Sequence, residues 1–339
     1  MTKEQINKLL NKGIFPEKAS KRELIETHIS WVIVSDPFVY KIKKTVHYSF
    51  LDFSTLEMRK HFCKREIELN KRLTKNIYLD VLPVCEWEDN YIMGGKAGTI
   101  IEYAVRMHKL DREKQMDQLL IKNKVSKNDI KNIAEKIAFF HKNTDIIYNK
   151  DSINIQEKFN DLESEKQFLS KHLDMKYCNI ISHAIDTSDS FLHKNKKLLE
   201  DRLDARFIRD CHGDLHSRNI FLLPEPVPFD CIEFNDDFRQ IDVLNEVAFL
   251  CMDLDAFERQ DLSDLFIDYY NQFFPAMQTK EDYNLFIYFK SYRANIRAKV
   301  NSLRAKTATD NLEKINTLSA TKKYLLLMDS YLRSTEFLE

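Results

Sequence analysis

Glycine is scarce in this sequence. Only five of the 339 residues are glycines, at positions 13, 94, 95, 98 and 213. A glycine-rich loop that wraps phosphate groups needs several glycines close together, whereas residues 10–40 contain a single one. The pattern Gly-x-x-x-x-Gly-Lys followed by Ser or Thr occurs nowhere in the sequence, which excludes a P-loop nucleotide-binding module within it.

Long apolar runs are also missing. Stretches such as Trp31–Val34 and Val247–Cys251 are far shorter than the roughly 18 to 20 residues that a membrane-spanning helix needs. The first residues lead into an amphipathic segment and do not form the apolar core of a secretion signal. We therefore predict a cytoplasmic protein with no membrane partner.

Neither sign of charge predominates. Lysine and arginine number 52 against 53 acidic residues, a net charge of −1, so no overall field favours nucleic acid and we predict no nucleic-acid partner. Cysteine gives no redox or metal signature either, because the six cysteines form no CxxC pair and do not cluster with histidine at zinc spacing. We predict reduced, buried thiols, at positions 63, 85, 178, 211, 231 and 251.

What the sequence does contain changes character near residue 105. Before it, short runs rich in β-branched and aromatic residues predict strands, and Ser35-Asp36-Pro37 predicts the turn of a hairpin. One helical pattern interrupts them at residues 54–73. The predicted strands are at residues 28–34, 38–42, 81–87, 91–93 and 99–103.

After residue 105 the pattern is mostly helical. Ser126 and Asp129 predict a capping box, and the apolar face of the helix that follows includes His141, which we interpret as a core histidine. The fold class predicted is α+β, with a small N-terminal antiparallel sheet plus helix in residues 1–105 and a larger, mostly helical part in residues 106–339.

Residues 207–234 interrupt the helical part with short apolar strands around a polar loop. The loop reads Cys211-His212-Gly213-Asp214-Leu215-His216-Ser217-Arg218-Asn219. Phosphoryl transfer needs a carboxylate to orient and deprotonate a hydroxyl, ligands for Mg²⁺, and a cation on the nucleotide phosphates. Asp214 suits the first role and Asn219 the second, with Asp230 or Glu233 as a further metal ligand. The alternative is that these side chains only satisfy turns and caps.

The loop, with its sequence His-Gly-Asp-Leu-His-x-x-Asn-Ile, resembles that of the aminoglycoside phosphotransferase and choline kinase-like superfamily, which has a protein-kinase-like two-lobed fold. Residues 26–31, 50–57 and 229–235 look like a bacterial subfamily of these enzymes, some members of which are fused to a P-loop ATPase domain. Without that pattern, this chain is predicted to be a stand-alone phosphotransferase-like module.

The resemblance implies a role for each matching residue. Asp214 would be the catalytic base and His212 a structural residue that positions the loop. Lys41 looks like the strand lysine that contacts nucleotide phosphates, and Glu66 looks like its ion-pair partner. If these two are not the pair, Lys43 and Glu68 are the alternatives, and an ordinary surface lysine is the structural alternative for Lys41.

The same resemblance extends to the hinge and the metal acid. Residues 102–105 resemble the interlobe hinge that binds adenine, so Glu102 and Ala104 are predicted at the nucleotide; otherwise the segment is simply a linker. Asp230 is favoured as the metal acid, with Glu233 as second ligand or alternative. Asp242 and Glu246, one helical turn apart, are candidates to anchor the catalytic loop or to cap and face solvent.

A helical run at residues 283–304 carries a basic stripe opposite its apolar face. A solvated face is the default interpretation. Alternatively, Arg293 and Arg297 contact an anionic acceptor, since arginine pairs well with carboxylate or phosphate.

Together these features predict an ATP-dependent kinase that phosphorylates the hydroxyl of a small molecule, with Mg²⁺ as cofactor and GTP not excluded as co-substrate. A nucleotide-binding pseudokinase and a kinase acting on a protein side chain are the alternatives. The sequence names neither the acceptor nor the oligomeric state.

Overall fold

The computed structural model describes residues 1–18, 21–150 and 154–334. The chain divides into two compact units. The first comprises Met1–Gln118 and Arg218–Phe238, and the second comprises Leu119–Ser217 and Arg239–Glu339. Residue 105, where the sequence changes character, lies inside a strand of the first unit. Assigning nucleotide binding to residues 1–105 and acceptor binding to residues 106–339 stays a prediction.

The strands are short except for two. They are β1 (Glu23–Glu26), β2 (Ser30–Val34), β3 (Phe38–Lys43), β4 (His47–Tyr48), β5 (Leu51–Asp52), β6 (Tyr78–Trp87), β7 (Asn90–Met93), β8 (Thr99–His108), β9 (Ile208–Asp210), β10 (Ile220–Phe221), β11 (Val227–Pro228) and β12 (Gln240–Asp242).

The helices lie mostly in the second half of the chain. They are α1 (Lys3–Lys12), α2 (Leu56–Asn70), α3 (Met116–Ile121), α4 (Lys127–Asn143), α5 (Asn154–Asn160), α6 (Lys166–Leu169), α7 (Met175–Lys194), α8 (Lys196–Asp204), α9 (Asp236–Arg239), α10 (Val243–Ala256), α11 (Gln260–Phe273), α12 (Lys280–Thr307) and α13 (Asn311–Leu332). Short 3₁₀ helices occur at Arg112–Lys114, Asp161–Glu165 and Ser217–Asn219.

The first unit is built on a six-stranded antiparallel sheet with strand order β1-β2-β3-β8-β6-β7. Side chains alternate across a strand, so β3 serves both faces. Tyr40 and Ile42 enter an apolar core with Ile6 and Leu9 of α1. Lys41 and Lys43 point to the opposite face, where they reach α2.

Thr55 caps the start of helix α2, because its hydroxyl accepts the Met58 N–H. The helix packs its Cys63 and Ile67 against Tyr78 and Val105 of the sheet. The predicted hairpin at residues 28–42 and the predicted helix at residues 54–73 are therefore both present.

The second unit is a helical assembly around α10, in which every residue except Asp255 is buried. The predicted capping box forms at the start of α4, where Ser126 and Asp129 exchange hydrogen bonds. The run at residues 283–304 lies in α12, which packs along α13. The structure confirms the α+β class, with an antiparallel sheet in the N-terminal part and mainly helices in the C-terminal part.

All six cysteines are buried free thiols, as predicted. In the part of the chain that is described, no helix combines the length and the apolar character needed to cross a lipid bilayer.

Candidate active site

The polar loop at residues 212–217 follows β9 and belongs to the second unit. At its start, the backbone N–H of His212 donates to Glu246 Oε1 at 2.7 Å, and that of Gly213 donates to Glu246 Oε2 at 3.0 Å. Gly213 has a φ of 89°, in the region that favours glycine. One carboxylate thus accepts from two successive backbone amides, which fixes the turn just before Asp214.

The end of the loop is held in the same way. Ser217 donates both its backbone N–H and its hydroxyl to Asp253 Oδ2, at 2.9 and 2.5 Å. Asp253 follows Glu246 by seven residues, which is close to two helical turns, so both carboxylates project from one face of α10. The prediction that Glu246 anchors the loop is confirmed, while Asp253 was not singled out from the sequence.

Asp214 lies between these anchors with its carboxylate partly exposed. Its backbone N–H donates to Nδ1 of the buried His212 at 3.2 Å, and its Oδ2 is 3.4 Å from His216 Nε2. Burial raises the pKa of Asp214, but the nearby His216 and Arg297 outweigh it and hold the pKa well below its usual range. The carboxylate is therefore ionised, which suits it to accept a hydrogen bond from a hydroxyl.

The predicted structural role of His212 agrees with this geometry, since its ring lies under the loop and accepts the Asp214 amide. Asp242, the other candidate anchor, has a different task. Its carboxylate caps α10 at Leu244 N and accepts two hydrogen bonds from Arg202 at 2.6 and 2.9 Å.

Two arginines of α12 have different environments in this unit. Arg293 is buried, donates to Asn245 Oδ1 at 2.7 Å and to the Gly213 carbonyl at 3.2 Å, and lies over the Phe249 ring. Arg297, about one turn later, is half-buried beside the Tyr324 ring. The interpretation of this stripe as solvated is wrong for Arg293, which holds the polar loop at the Gly213 carbonyl.

His141, Cys211 and Glu246 bring potential metal-ligand atoms within 4.8 Å of one another. All three are buried, and both Glu246 oxygens already accept backbone amides. His141 Nδ1 is 2.8 Å from the Tyr270 hydroxyl, as expected of a core histidine. Of these three residues, Glu246 is the one that holds the loop backbone.

The first unit carries a second charged cluster, which we call the lysine–acid cluster: Lys41, Lys43, Glu66, Asp230 and Glu233. Lys41 Nζ donates to Glu66 Oε1 at 2.8 Å and to Asp230 Oδ1 at 2.6 Å. Lys43 Nζ donates to Glu66 Oε2 at 2.8 Å and makes a short contact with Glu233 Oε1. Glu66 therefore bridges the two lysines.

Burial and charge act against each other in this cluster. Burial alone would raise the pKa of Glu66, but Lys41 and Lys43 lower it to about 2. Burial likewise disfavours the Lys41 ammonium, yet Asp230 and Glu66 raise its pKa well above the usual value. Of the alternative acids, Glu68 points outward and pairs with Arg65, so Glu66 is the partner of Lys41.

Asp230 is held by its backbone. Its N–H donates to the Tyr78 hydroxyl at 3.0 Å, and the next N–H, of Cys231, donates to Asn70 Oδ1 at 3.0 Å. The φ of Asp230 is 63°, a left-handed conformation that is uncommon outside glycine. The backbone is thus fixed while the carboxylate remains substantially exposed.

Asn219 reaches the same end of a small hairpin. β10 pairs with β11, and Phe229 N–H donates to the Asn219 carbonyl at 2.9 Å, so Asn219 and Asp230 flank that end. A carboxylate and an amide oxygen are the donors that Mg²⁺ prefers. The residues present therefore fit a magnesium ion.

Glu102 and Ala104 lie in the interior of β8, not in a linker. Ala104 is paired with Ile42 on one side and Leu82 on the other. The Glu102 carboxylate is buried and accepts from Arg59 Nε at 2.8 Å. Residues 102–105 are thus part of a strand, because β8 continues to His108 and sheet pairing occupies this backbone, and the contact of Glu102 and Ala104 with the nucleotide stays a prediction.

The connection between β1 and β2 lies within residues 10–40, which lack a glycine-rich loop, and consists only of Thr27–Ile29. It is closed by its own hydrogen bonds, since Ser30 N–H donates to Thr27 Oγ1 at 2.9 Å and Thr27 N–H donates to the Ser30 carbonyl at 2.9 Å.

No protein-family model matches the chain. An uncharacterized protein of Mycobacterium tuberculosis is 30% identical over 287 residues, covering 82% of this chain and 54% of that protein. One from Mycobacterium bovis matches with the same figures. The chain thus spans about half the length of the curated relatives it matches.

Solved structures resemble the fold at low sequence identity. A choline/ethanolamine kinase family protein from Mesorhizobium loti has a TM-score of 0.55 at 10% identity, covering 94% of this chain and 90% of that one. A choline kinase from Cryptosporidium parvum has a TM-score of 0.53 at 14% identity, covering 93% of each chain. An aminoglycoside 2′-phosphotransferase in complex with GDP has a TM-score of 0.50 at 12% identity, covering 91% of this chain and 92% of its own. The chain therefore has the kinase-like fold of the aminoglycoside phosphotransferases and choline kinases, as the sequence resemblance predicted.

Proposed function

We propose that this chain is a phosphotransferase that moves the γ-phosphate of ATP to a hydroxyl group of a small molecule. The observation that carries the proposal is the catalytic loop, where Glu246, Asp253 and Arg293 hold the backbone around a single partly exposed, ionised carboxylate, that of Asp214. So much fixation around one carboxylate is typical of a site that must orient a reactant.

In the proposed reaction Asp214 accepts a hydrogen bond from the acceptor hydroxyl and receives its proton. A bond forms between the acceptor oxygen and the γ-phosphorus, while the bond from that phosphorus to the β-phosphate oxygen breaks and releases ADP. The lowered pKa of Asp214 makes it a weak base, so orientation of the hydroxyl is its larger contribution. His212 acts as a positioning residue.

The nucleotide phosphates require a cation, and Lys41 suits this role. Its ammonium is held by Glu66, and its raised pKa keeps it charged at physiological pH. GTP is an alternative co-substrate, because nothing in the lysine–acid cluster distinguishes adenine from guanine.

Asn219 and Asp230 would hold the metal, with Glu233 as the alternative acid. A bound Mg²⁺ would neutralise phosphate charge. If Asp230 is the ligand, thermal stabilisation by ATP with Mg²⁺ should vanish in Asp230→Ala. Stabilisation equal to that of the wild type would instead favour Glu233.

An anionic acceptor is supported by Arg297, whose charge acts on Asp214 and which is only half-buried. Arg293 is already bonded to Asn245 and Gly213, so its contribution would be to the loop. Arg297→Ala should raise the KM for the acceptor and change the free energy of unfolding little. Unchanged kinetics in both Arg297→Ala and Arg293→Ala would end this part of the proposal.

The decisive experiment is a screen of metabolite extract with ATP and Mg²⁺, read by mass spectrometry for gain of one phosphate. Asp214→Asn is the matched control, and we expect the phosphate gain to fall by about 10²- to 10⁴-fold. Phosphate gain that persists in Asp214→Asn would remove Asp214 as the base.

The short, glycine-free connection between β1 and β2 favours a second candidate, a nucleotide-binding regulatory module without turnover. Such a module would be stabilised by ATP and Mg²⁺ yet phosphorylate nothing in the extract. Purified proteins added to the same assay would reveal the remaining alternative, transfer to a protein side chain.

A further inference from the structure

Two lysines from one face of β3 enter the lysine–acid cluster, and their surroundings differ. Lys43 is fully buried, and its partners Glu66 and Glu233 are 0% and 4% exposed. Lys41 is 13% exposed, and one of its partners, Asp230, is 42% exposed. The inner lysine therefore serves buried acids, and the outer lysine reaches an acid that water can also reach.

The charges in this cluster do not balance, since three carboxylates share two ammonium groups. An unpaired charge is most costly where it is most buried. Glu233 therefore depends on Lys43 for its compensation, whereas Asp230 can exchange Lys41 for solvent or for another cation. A cavity of about 500 Å³, lined in part by Glu233, Arg65 and Asp236, lies beside the inner pair. A Glu233 carboxylate released from Lys43 would border that cavity.

We propose that Lys43 is a positioning residue that withdraws Glu233 from metal binding, so that Asp230 is the single acid of the cluster available to a divalent cation. This inference rests on the proposed function and deepens it by separating the two acids that the sequence left as alternatives. Lys43 does so by direct contact with Glu233 and by sharing Glu66 with Lys41, which also ties β3 to α2.

The test uses Mn²⁺ and the full chain, with free Mn²⁺ followed by electron paramagnetic resonance in the absence of nucleotide. In Lys43→Met the released Glu233 should tighten Mn²⁺ binding by at least tenfold. The double variant Lys43→Met with Glu233→Gln should return to the wild-type value, and Lys43→Arg, which keeps the charge, should stay there. Unchanged Mn²⁺ binding in folded Lys43→Met, or a gain that persists in the double variant, would overturn the proposal.

Because Lys43→Met removes a buried charge and its folding is at risk, a second comparison leaves Lys43 in place. In the presence of ATP, the affinity of Glu233→Gln for Mn²⁺ should be within twofold of the wild-type affinity, whereas that of Asp230→Asn should be at least tenfold lower. Equal losses in both variants would show Glu233 to be a ligand and refute the proposal. Wild-type protein that binds no Mn²⁺ with ATP would instead contradict the proposed function, which keeps the two failures distinguishable.

Discussion

The catalytic loop of the second unit and the lysine–acid cluster of the first hold their carboxylates by opposite means. Glu246 and Asp253 accept hydrogen bonds from backbone amides, which cannot move without unfolding the loop. The cluster acids accept from the flexible ends of Lys41 and Lys43. The hydrogen bonds of the loop hold its backbone in place, whereas those of the cluster compensate the charge of its buried carboxylates.

This difference matches the two tasks that we propose. A base must stay in one place through the reaction, so its loop is held by directional hydrogen bonds from backbone amides. A phosphate and metal site must release its internal ion pairs when ligands arrive, so side-chain ammonium groups with alternative partners are suitable. Perturbing each region should therefore change different properties, namely stability for the loop and ligand affinity for the cluster.

The largest effect should come from the protonation of Glu246. Burial raises its pKa from 4.5 to about 7, against the opposing effects of Arg293 and the loop amides. A raised pKa means that the folded state binds the proton more tightly, so this stability is complete below about pH 4.5 and lost as the pH rises through 7. The free energy of unfolding of the wild type, relative to Glu246→Gln, should fall by about 3 kcal/mol between pH 4.5 and 8.

Urea unfolding of both proteins across this pH range measures the difference. Because Gln cannot ionise, subtracting its curve removes the contribution of other titrating groups. Parallel curves would show that Glu246 has an ordinary pKa in the folded protein.

A somewhat smaller loss of stability is expected from Asp253→Ala. It leaves the Ser217 amide and hydroxyl without their carboxylate acceptor, and a buried donor without a partner costs about 2 kcal/mol. Asp253→Asn keeps an acceptor oxygen and should lose less than half of that amount in the same urea assay. If the two variants were equally stable, the hydrogen bonds that Ser217 donates to residue 253 would not be what secures this end of the loop.

Lys41→Met should mainly change affinity. We expect ATP binding in Mg²⁺ buffer to weaken at least tenfold by calorimetry, because the phosphates lose a charged partner and meet an unpaired Asp230. Lys44→Met is the matched control, since Lys44 pairs with Glu26 outside the cluster, and it should stay within twofold of the wild type. A similar loss in both variants would indicate a general effect of charge on nucleotide binding.

The smallest effect should come from Glu26→Gln. Glu26 pairs with the exposed Lys3 and with Lys44 at the surface, and such pairs typically contribute about 0.2 to 1 kcal/mol. Thermal melts at low and high salt should nearly coincide with those of the wild type. A larger change would mean that surface pairs support β1 more than is usual.

Much of the fold could be predicted from the sequence because strand and helix periods are local. The hairpin of β2 and β3, the helix α2 and the capped start of α4 all follow from apolar spacing and turn residues. β1 was not predicted, since Glu23–Glu26 has only two apolar residues between two acids and forms an edge strand that gains its structure from pairing with β2. The end of β8 was placed too early because Arg106 and His108 interrupt its apolar residues although both are still paired with β3.

The candidate site was predictable where a short motif holds several groups, as at His212, Asp214 and Asn219. Contacts across long separations were not. Lys43 was only an alternative to Lys41, although their spacing of two residues on a strand already places both on one face. The role of Arg293 depends on how α12 packs against the loop, which no local pattern in the sequence records.

Helix α10 also sets the distance between the two ends of the catalytic loop. Its seven-residue step from Glu246 to Asp253 corresponds to about 10 Å along the axis, and the loop must span that distance between its two attachments. Inserting one residue into this step would turn one attachment by about 100° away from the loop while leaving the loop sequence intact. The spacing of Glu246 and Asp253 along a helix outside the motif is thus as necessary to the loop as the aspartate within it.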